Sequence, residues 1–352
     1  MKICFLFSNF HLVDVTAEPK MGLTLAEKVS KNGHQVYIVS NYITNKIEEK
    51  NKIHFFLFKG LGDLKTYLIN TPKIIRYLAK LEPDAIHVHG GIIIVYAWFI
   101  NLFLKTSLVF TFCQSLDTFG RLQKKLFFFC LSRLEMIFVT SLYLKKQLAA
   151  NGLPESRIKI VRLGLENKFL TAKRLRTNTD IFFFGDSNRE RGFDIVCAMA
   201  KRMRDYSFTI LLRWEKDCLN ELNEFNKLPN VFVYHLSYKK PLIDLIREAK
   251  IIFLPFRWMG VRPPLSIVES MACAKCVFTS TMEGNEEVIK NNVNGILSDF
   301  KDLDQVARQI TYLINNRTVL QRMGERAKKT IKTMYSDDEY NKIIDYYALC
   351  KS

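Results

Sequence analysis

The sequence lacks an apolar run long enough to cross a bilayer as a helix. Its most apolar run, from Ile92 to Leu104, is followed at once by Lys105, whereas a spanning helix needs about 20 apolar residues. We therefore predict that this run forms a buried helix. The first residues, MKICFLFSNF, contain too short an apolar core for a signal peptide and predict a first strand instead.

Cysteines with a metal-binding or disulfide spacing are also lacking, apart from Cys273 and Cys276. The chain has eight cysteines, and without an export signal we expect free thiols in a reducing cytosol. Structural metal sites generally need four ligands, and no second C-x-x-C or close Cys/His pair accompanies this one. We interpret both residues as structural and expect no metal site.

Acidic residues are few relative to basic ones. The formal net charge is +17, and the segment from Arg121 to Arg176 contains 13 Lys/Arg against 3 Asp/Glu. This excess predicts an anionic partner: a phospholipid surface, a phosphorylated acceptor or nucleic acid. A solvated basic face is the alternative. Because no recognised nucleic-acid reading motif is present, we expect no nucleic-acid partner.

Short apolar runs alternate with amphipathic helical stretches along the whole chain. KICFLF is followed by LTLAEKVSKNGH and QVYIVS, and DAIHVHG by an apolar helix and SLVFTF. Such alternation predicts a parallel sheet covered on both faces by helices. The pattern restarts at IFFFG after the polar stretch NKFLTAKRLRTNTD, so we predict two α/β domains that meet near residue 170.

The order of these segments resembles the family 4 glycosyltransferases, which have the GT-B fold. The resemblance rests on NGHQVYIVS, PDAIHVHGG and RPPLSIVESMACAKCVFTSTMEGNEEVI, the last flanked by REAKIIFLPF and NNVNGIL. It implies α/β architecture with two Rossmann-like domains facing each other across a cleft. Residues 1–169 are expected to bind the acceptor and 170–335 the nucleotide sugar, with 336–352 forming a terminal helix that packs back on the first domain.

The same resemblance implies a function. The chain is expected to be a retaining hexosyltransferase that moves a sugar from a nucleotide-sugar donor to a glycan or lipid-linked acceptor in cell-envelope polysaccharide or glycolipid synthesis. Family members do this without an obligatory metal or cofactor, because cations and a helix amino terminus neutralise the departing diphosphate. We expect a cytoplasmic protein, with peripheral attachment to the inner face of the plasma membrane. A catalytically weakened protein that binds nucleotide sugar or partner proteins without turnover is the alternative.

Two arginines are the candidate diphosphate contacts. In FFFGDSNRERGFD, Asp186 stands where the family usually has an arginine, and Arg191 stands at the position of its lysine. Arg189 is the candidate that replaces the displaced charge. Loop cations of this kind are also often merely solvated.

The second donor element is the helix start after Pro263 and Pro264. The resemblance implies that Glu269 holds the ribose hydroxyls, since a carboxylate accepts two hydrogen bonds from a vicinal diol, and that amides near Leu265 and Ser266 face the diphosphate. A capping box between Ser266 and Glu269 is the competing interpretation. The family's other glutamate, eight positions upstream, is replaced by Val261.

Acceptor-side candidates lie in the first half of the chain. Gly22 is retained from the family's glycine-rich loop, His89 from its H-x-H segment, and Cys113 stands where a histidine near the sugar is common. We assign no catalytic base, because the resemblance implies same-face attack assisted by the leaving phosphate.

One basic, aromatic segment leaves two interpretations open. RLQKKLFFFCLSRLE carries Lys124, Lys125 and Arg133 beside Phe127, Phe128 and Phe129. A helix with these side chains either rests on an anionic bilayer or packs its phenylalanines into the core.

Overall fold

A computed structural model describes residues 1–7, 17–42, 49–50, 52–59, 64–173, 175–213, 218–235 and 240–350. The chain forms two compact units: unit 1 is Met1–Gly164 with Tyr335–Ser352, and unit 2 is Leu165–Met334. Residues 8–16, where the resemblance implies an acceptor loop, lie outside the described residues. Also outside the described residues are residue 174, in the polar stretch predicted to separate the domains, and residues 351–352, in the predicted terminal segment.

Unit 1 is built on a sheet in which the described strands pair in parallel, except for the antiparallel pair β3 and β4. The strands are β1 (Lys2–Phe7), β2 (Gln35–Tyr42), β3 (Glu49–Lys50), β4 (Ile53–Lys59), β5 (Ala85–Gly90), β6 (Ser107–Phe112), β7 (Ile137–Val139) and β8 (Ile158–Ile160). Their spatial order is β3-β4-β2-β1-β5-β6-β7-β8. The order reverses between β1 and β5, and open α/β sheets bind ligands at the carboxyl ends of such strands.

The helices between these strands are α1 (Ala17–Lys31), α2 (Leu64–Leu81), α3 (Ile93–Leu104), α4 (Arg121–Leu131) and α5 (Leu142–Ala150). Local sequence sets some of their ends. Ser141 caps α5, since its hydroxyl accepts a hydrogen bond from the Leu144 amide at 3.2 Å. Lys105, in the left-handed conformation, ends α3.

The apolar run predicted as a buried helix is α3, and the prediction is right for one face only. Tyr96 and Ala97 are buried against the sheet, whereas Phe99 and Phe103 are 42% and 63% exposed. Hydrophobicity along the run identified the helix. It did not reveal that one side of it faces solvent.

Unit 2 contains a second sheet, and its described strands all pair in parallel. The strands are β9 (Thr179–Gly185), β10 (Phe208–Leu212), β11 (Val231–His235), β12 (Ala249–Leu254), β13 (Cys276–Ser280) and β14 (Ile296–Ser298). Their spatial order is β11-β10-β9-β12-β13-β14, so the reversal lies between β9 and β12. The helices are α6 (Asn167–Leu170), α7 (Phe193–Arg202), α8 (Leu219–Phe225), α9 (Leu242–Glu248), α10 (Leu265–Ala272), α11 (Leu303–Asn315) and α12 (Arg317–Met334).

The last helix, α13 (Asp338–Leu349), belongs to unit 1 and packs against α1. Its buried Tyr347 hydroxyl lies 2.5 Å from Nδ1 of His87, and Nε2 of the same ring lies 2.9 Å from the Thr111 hydroxyl. The buried imidazole is therefore fully hydrogen-bonded. Two α/β units built on largely parallel sheets confirm the predicted fold class. Among the described helices, none is both long and apolar enough to span a membrane.

Candidate functional site

Two loops meet at the strand reversal of unit 2, residues 186–192 after β9 and residues 255–264 after β12. The Glu190 carbonyl oxygen accepts hydrogen bonds from the amides of Arg257 and Trp258, at 2.8 and 3.1 Å. At Gly192, where φ is 69°, an added Cβ would lie 2.0 Å from the Pro255 carbonyl oxygen. Glycine is therefore required at this close approach, and the two loops form one continuous wall.

Asp186 joins two arginine side chains within this wall. Its carboxylate is 2% exposed and accepts hydrogen bonds from Nε and Nη2 of Arg213, at 3.0 and 3.1 Å. Nε of Arg191 lies 3.8 Å from the same carboxylate. Two cations and one anion leave a net positive charge at the carboxyl ends of β9 and β10. Asp186 thus holds an arginine that follows the neighbouring strand.

Sequence analysis missed Arg213. The sequence does contain a signal for it, because a basic residue lies close after the strand FTILL. Since β9 and β10 are parallel neighbours, their carboxyl ends bring this residue to the same sheet edge as the loop after β9. The Arg213 amide donates to the Gly185 carbonyl oxygen at 2.9 Å, which fixes the backbone from which the guanidinium extends.

Arg191 is largely buried and is held by the β12 loop as well as by Asp186. Its Nη1 donates to the Trp258 carbonyl oxygen at 2.9 Å and contacts the Met259 sulfur. Burial lowers the pKa of Arg191, and the Asp186 carboxylate opposes that shift. The side chain is thus fixed in orientation, as a binding cation requires.

Arg189, the other predicted cation, has an exposed side chain. Among the ion pairs of the described residues, Asp186 pairs with Arg213 and Arg191 rather than with Arg189. The Arg189 carbonyl oxygen instead accepts a hydrogen bond from Nη1 of Arg257 at 2.8 Å. Arg257 is engaged in turn with Asp194, at 2.6 and 2.8 Å.

The amino terminus of α10 follows the β12 loop directly. The first intrahelical bond runs from the Ile267 amide to the Pro264 carbonyl oxygen at 3.0 Å, so the amides of Leu265 and Ser266 precede it. The helix begins at Leu265 with Pro264 as N-cap and has no side-chain capping bond. A capping box in which Ser266 is the N-cap is therefore wrong, because Ser266 already lies inside the helix.

Glu269 lies one turn into α10 and is 5% exposed. The Ser266 hydroxyl oxygen, on the same helix, is buried without a hydrogen-bond partner among the described residues. Leu265, Ser266 and Glu269 are thus brought onto one helix at the strand reversal, next to the loop that holds Arg191.

The three acceptor-side candidates come together at the strand reversal of unit 1. Sγ of Cys113 lies 3.7 Å from Nε2 of His89. A Cβ added to Gly22 would lie 2.9 Å from the His89 ring and 2.1 Å from the ring of Phe7. Phe7 and His89 are paired residues of β1 and β5. The cluster therefore sits at the carboxyl ends of the two strands between which the order reverses.

Burial controls the protonation of this cluster. It lowers the pKa of His89 to about 4 and raises the pKa of the Cys113 thiol well above its ordinary value. Nε2 of His89 donates to the Glu18 carbonyl oxygen at 3.1 Å, since a carbonyl oxygen only accepts. The neutral imidazole then presents Nδ1 as an acceptor, and this atom is buried without a hydrogen-bond partner in the described part of the chain.

Two polar residues that sequence analysis did not select border the same cluster. The Glu18 carboxylate accepts a hydrogen bond from the side-chain amide of Gln114. A Cβ added to Gly90 would lie 2.5 Å from Oε1 of Glu18, so the carboxylate reaches the end of β5. Gln114 follows Cys113 directly, which is the signal that would have identified it.

The C-x-x-C residues are buried at the carboxyl end of α10 and the start of β13. Sγ of Cys273 is 3.7 Å from the Phe169 carbonyl oxygen, and Sγ of Cys276 is 3.1 Å from the Met323 sulfur. Burial raises the pKa of both thiols to about 12, which disfavours the reactive thiolate. Across the described ranges, no group of three or more His, Cys, Asp or Glu side chains is arranged to hold a metal ion.

Two family models match consecutive parts of the chain. The model described as Glycosyltransferase Family 4 matches residues 22–169, and the model described as Glycosyl transferases group 1 matches residues 166–330. Together they span both units. Glu269 and Arg191 fall within the second match, and Gly22, His89 and Cys113 within the first.

Comparisons with individual proteins agree with these family matches. An uncharacterised glycosyltransferase of Methanocaldococcus jannaschii is 25% identical over 296 residues, which is 80% of this chain and 79% of that protein. Sucrose-phosphate synthase from Thermosynechococcus elongatus has a TM-score of 0.82 at 13% identity, covering 99% of each chain. Anabaena HepE in complex with UDP has a TM-score of 0.79 at 14% identity, covering 99% of this chain and 100% of that one. At such identities the solved structures show a shared fold.

Proposed function

This chain belongs to the group 1 glycosyltransferases of the GT-B fold, and we propose that it is a retaining enzyme acting on a nucleotide-sugar donor. The proposed acceptor is a glycan or a lipid-linked glycan of cell-envelope polysaccharide or glycolipid synthesis. The proposed location is the cytoplasmic side of a membrane. Anabaena HepE was solved with UDP and with UDP-glucose, which supports UDP-sugars as the first donors to test.

One observation supports the proposal above all: two arginines that share one carboxylate lie beside a helix amino terminus at the strand reversal of unit 2. Arg191 and Arg213 share Asp186, and the amides of Leu265 and Ser266 precede the first hydrogen bond of α10. Both features favour an anion. A diphosphate carries the charge that such a site stabilises.

The chemistry assigns each group a role. When the glycosidic bond of the donor breaks, negative charge develops on the departing diphosphate, and fixed positive groups lower the barrier by stabilising it. We assign this stabilisation to Arg191, Arg213 and the first amides of α10. Glu269 accepts hydrogen bonds from the two ribose hydroxyls and so orients the nucleotide. In this proposal the protein's own cations take the place of a metal ion.

The acceptor side is assigned to the cluster in unit 1. Its imidazole is neutral above about pH 4 and its thiol is protonated, so neither His89 nor Cys113 offers a charged nucleophile. Gly22 lets the backbone of α1 approach the Phe7 and His89 rings closely, because an added Cβ would lie 2.1 and 2.9 Å from them. We propose that a leaving-phosphate oxygen takes the proton of the acceptor hydroxyl as that hydroxyl attacks the same face of the sugar, which retains the anomeric configuration.

A panel of UDP-, GDP- and ADP-sugars tests the donor assignment by thermal shift. Stabilisation by one nucleotide class, followed by transfer to an acceptor with retained anomeric configuration by NMR, is the expected result. The absence of stabilisation by any nucleotide sugar contradicts the donor site. Stabilisation without transfer to any lipid-linked or glycan acceptor supports a protein that binds nucleotide sugar without turnover and contradicts the proposed catalysis.

A further inference from the structure

Helices α3 and α4 form one continuous surface of unit 1. They pack against each other, and the rings of Trp98 and Phe129 meet edge to face, with centroids 5.3 Å apart. The Arg133 guanidinium lies over both rings, at 3.5 Å from the Phe129 centroid and 5.8 Å from that of Trp98. Aromatic and cationic groups are therefore combined at the seam between the two helices.

The outer side of this pair is apolar. The exposed residues lie at helical spacing, so that each helix presents one stripe: Phe99, Leu102 and Phe103 on α3, and Leu122, Leu126 and Phe129 on α4. Their exposed fractions run from 42% to 70%. These six make up nearly half of the fourteen large exposed hydrophobic side chains among the described residues. We call them the α3–α4 face. Soluble proteins seldom leave such a concentration open to water without a partner.

The charged side chains on the helices of the α3–α4 face are basic, whereas the exposed acidic residues Asp117 and Glu135 lie beyond the ends of α4. Arg121, Lys125 and Arg133 are exposed on or directly after α4, and Lys105 is exposed directly after α3. Neighbouring α2, which packs against α3, also exposes Leu68 and Ile69. The sequences of α2, α3 and α4 contain no Asp or Glu. These three helices therefore attract an anionic partner.

We propose that the α3–α4 face docks the protein on an anionic phospholipid bilayer, with the six apolar side chains inserted at the interface and the flanking cations against lipid headgroups. This combination of an apolar stripe and basic flanks is what interfacial helices use. A second copy of the chain fits the face poorly, because a symmetric dimer would bring two sets of cations together. The proposed function explains only why the protein would dock, since a lipid-linked acceptor is presented at a membrane surface. The docking surface itself is inferred from the exposed side chains.

The structure revises which residues of α4 take part. Phe127 is fully buried and Phe128 is half-buried in the core of unit 1, so the core-packing interpretation is right for these two phenylalanines. Phe129 alone of the three contributes to the α3–α4 face, and Leu122 and Leu126 supply the rest of the stripe.

Flotation of the full-length protein with vesicles tests this surface. Phosphatidylcholine vesicles are compared with vesicles that also contain phosphatidylglycerol, at low and at high salt. We expect flotation with the anionic vesicles and release as salt screens the cations. Equal binding to both lipid mixtures, or no flotation with either, would overturn the proposal.

Two variants separate the apolar and charge contributions. Substituting Leu122→Ser, Leu126→Ser and Phe129→Ser should lower the vesicle partition coefficient more than about tenfold, because buried apolar area is lost. Substituting Arg121→Gln and Lys125→Gln should lower it by about tenfold and weaken the salt dependence.

Matched controls use exposed residues elsewhere. Phe232→Ser, Tyr312→Ser and Leu349→Ser remove three exposed apolar side chains, and Arg326→Gln with Lys329→Gln remove two exposed cations. Both controls should float like the wild type.

The thermal response to sugar nucleotides, measured on the same variants, should be unchanged, so that a failed donor site and a failed docking surface are distinguishable. Unchanged flotation of the α4 variants, or a dimer that the triple serine variant abolishes, would contradict membrane docking.

Discussion

Asp186 and Arg213 form a bidentate ion pair across two neighbouring parallel strands, with Nε 3.0 Å from one carboxylate oxygen and Nη2 3.1 Å from the other. Removing the carboxylate leaves Arg213 and Arg191 without their shared anion. We expect Asp186→Ala to lower the free energy of unfolding by roughly 2–4 kcal/mol. Urea denaturation measures this. Asp304→Ala, which breaks the exposed pair with Arg202, should change it by less than about 1 kcal/mol. Equal effects of the two variants would argue against a structural role for Asp186.

Arg213 should also contribute to donor binding. Arg213→Gln keeps a polar side chain but removes a cation from the proposed diphosphate site, and we expect donor affinity to fall by about tenfold. Titration calorimetry with the nucleotide sugar selected by the thermal-shift panel measures the change. Arg247→Gln is the matched control, because Arg247 pairs with Asp244 on α9, before β12 begins. Unaltered affinity in Arg213→Gln would show that Arg213 only supports Asp186.

Gly22 is expected to tolerate no side chain. The added Cβ of Gly22→Ala would lie 2.1 Å from the Phe7 ring, and such overpacking costs about 1–3 kcal/mol of unfolding free energy. This outweighs the gain of about 1 kcal/mol that alanine brings to a helix. At Gly120, the N-cap of α4, the nearest atom to an added Cβ is 3.6 Å away, so Gly120→Ala should lower stability less than Gly22→Ala by thermal denaturation. A stabilised Gly22→Ala would mean that the Phe7 and His89 rings move aside freely.

Stability should fall as the pH falls below neutrality. Burial lowers the pKa of His89 from 6.5 to about 4, so between these values the unfolded chain binds the proton that the folded chain excludes. The stabilisation is complete above about pH 6.5 and declines towards pH 4, by about 1.4 kcal/mol per pH unit for one such group. His87, which burial shifts in the same direction, adds to the slope.

Denaturation at a series of pH values checks this for His89. His89→Gln should flatten the slope, whereas His235→Gln, at an exposed position at the end of β11, should leave it unchanged. An identical slope in the wild type and in His89→Gln would place the titrating group elsewhere.

The fold could be predicted because its signals are local. Apolar runs such as IFFFG and the helices between them depend on neighbouring residues, and a parallel sheet follows from their alternation. The helix start at Pro264 was also visible, since proline suits the first turn and cannot continue a preceding helix.

Side-chain partnerships were harder to predict, because they join distant segments. Arg213 is separated from Asp186 by a helix and a strand, and only the sheet order brings them together. The competing role for Ser266 failed for a different reason: a spacing of three residues fits a capping box, but the helix begins two residues earlier than that motif requires. The exposed side of α3 was missed because an apolar run does not reveal which of its faces meets water.

Donor binding by Glu269 is the most direct test of the account. Calorimetric titration of the selected nucleotide sugar into wild type, Glu269→Gln and Glu325→Gln compares a buried carboxylate on α10 with an exposed one on α12. We predict that Glu269→Gln weakens donor binding by about tenfold to a hundredfold, because hydrogen bonds to a charged group are lost, while Glu325→Gln binds like the wild type. Wild-type affinity in Glu269→Gln would contradict the proposed donor site.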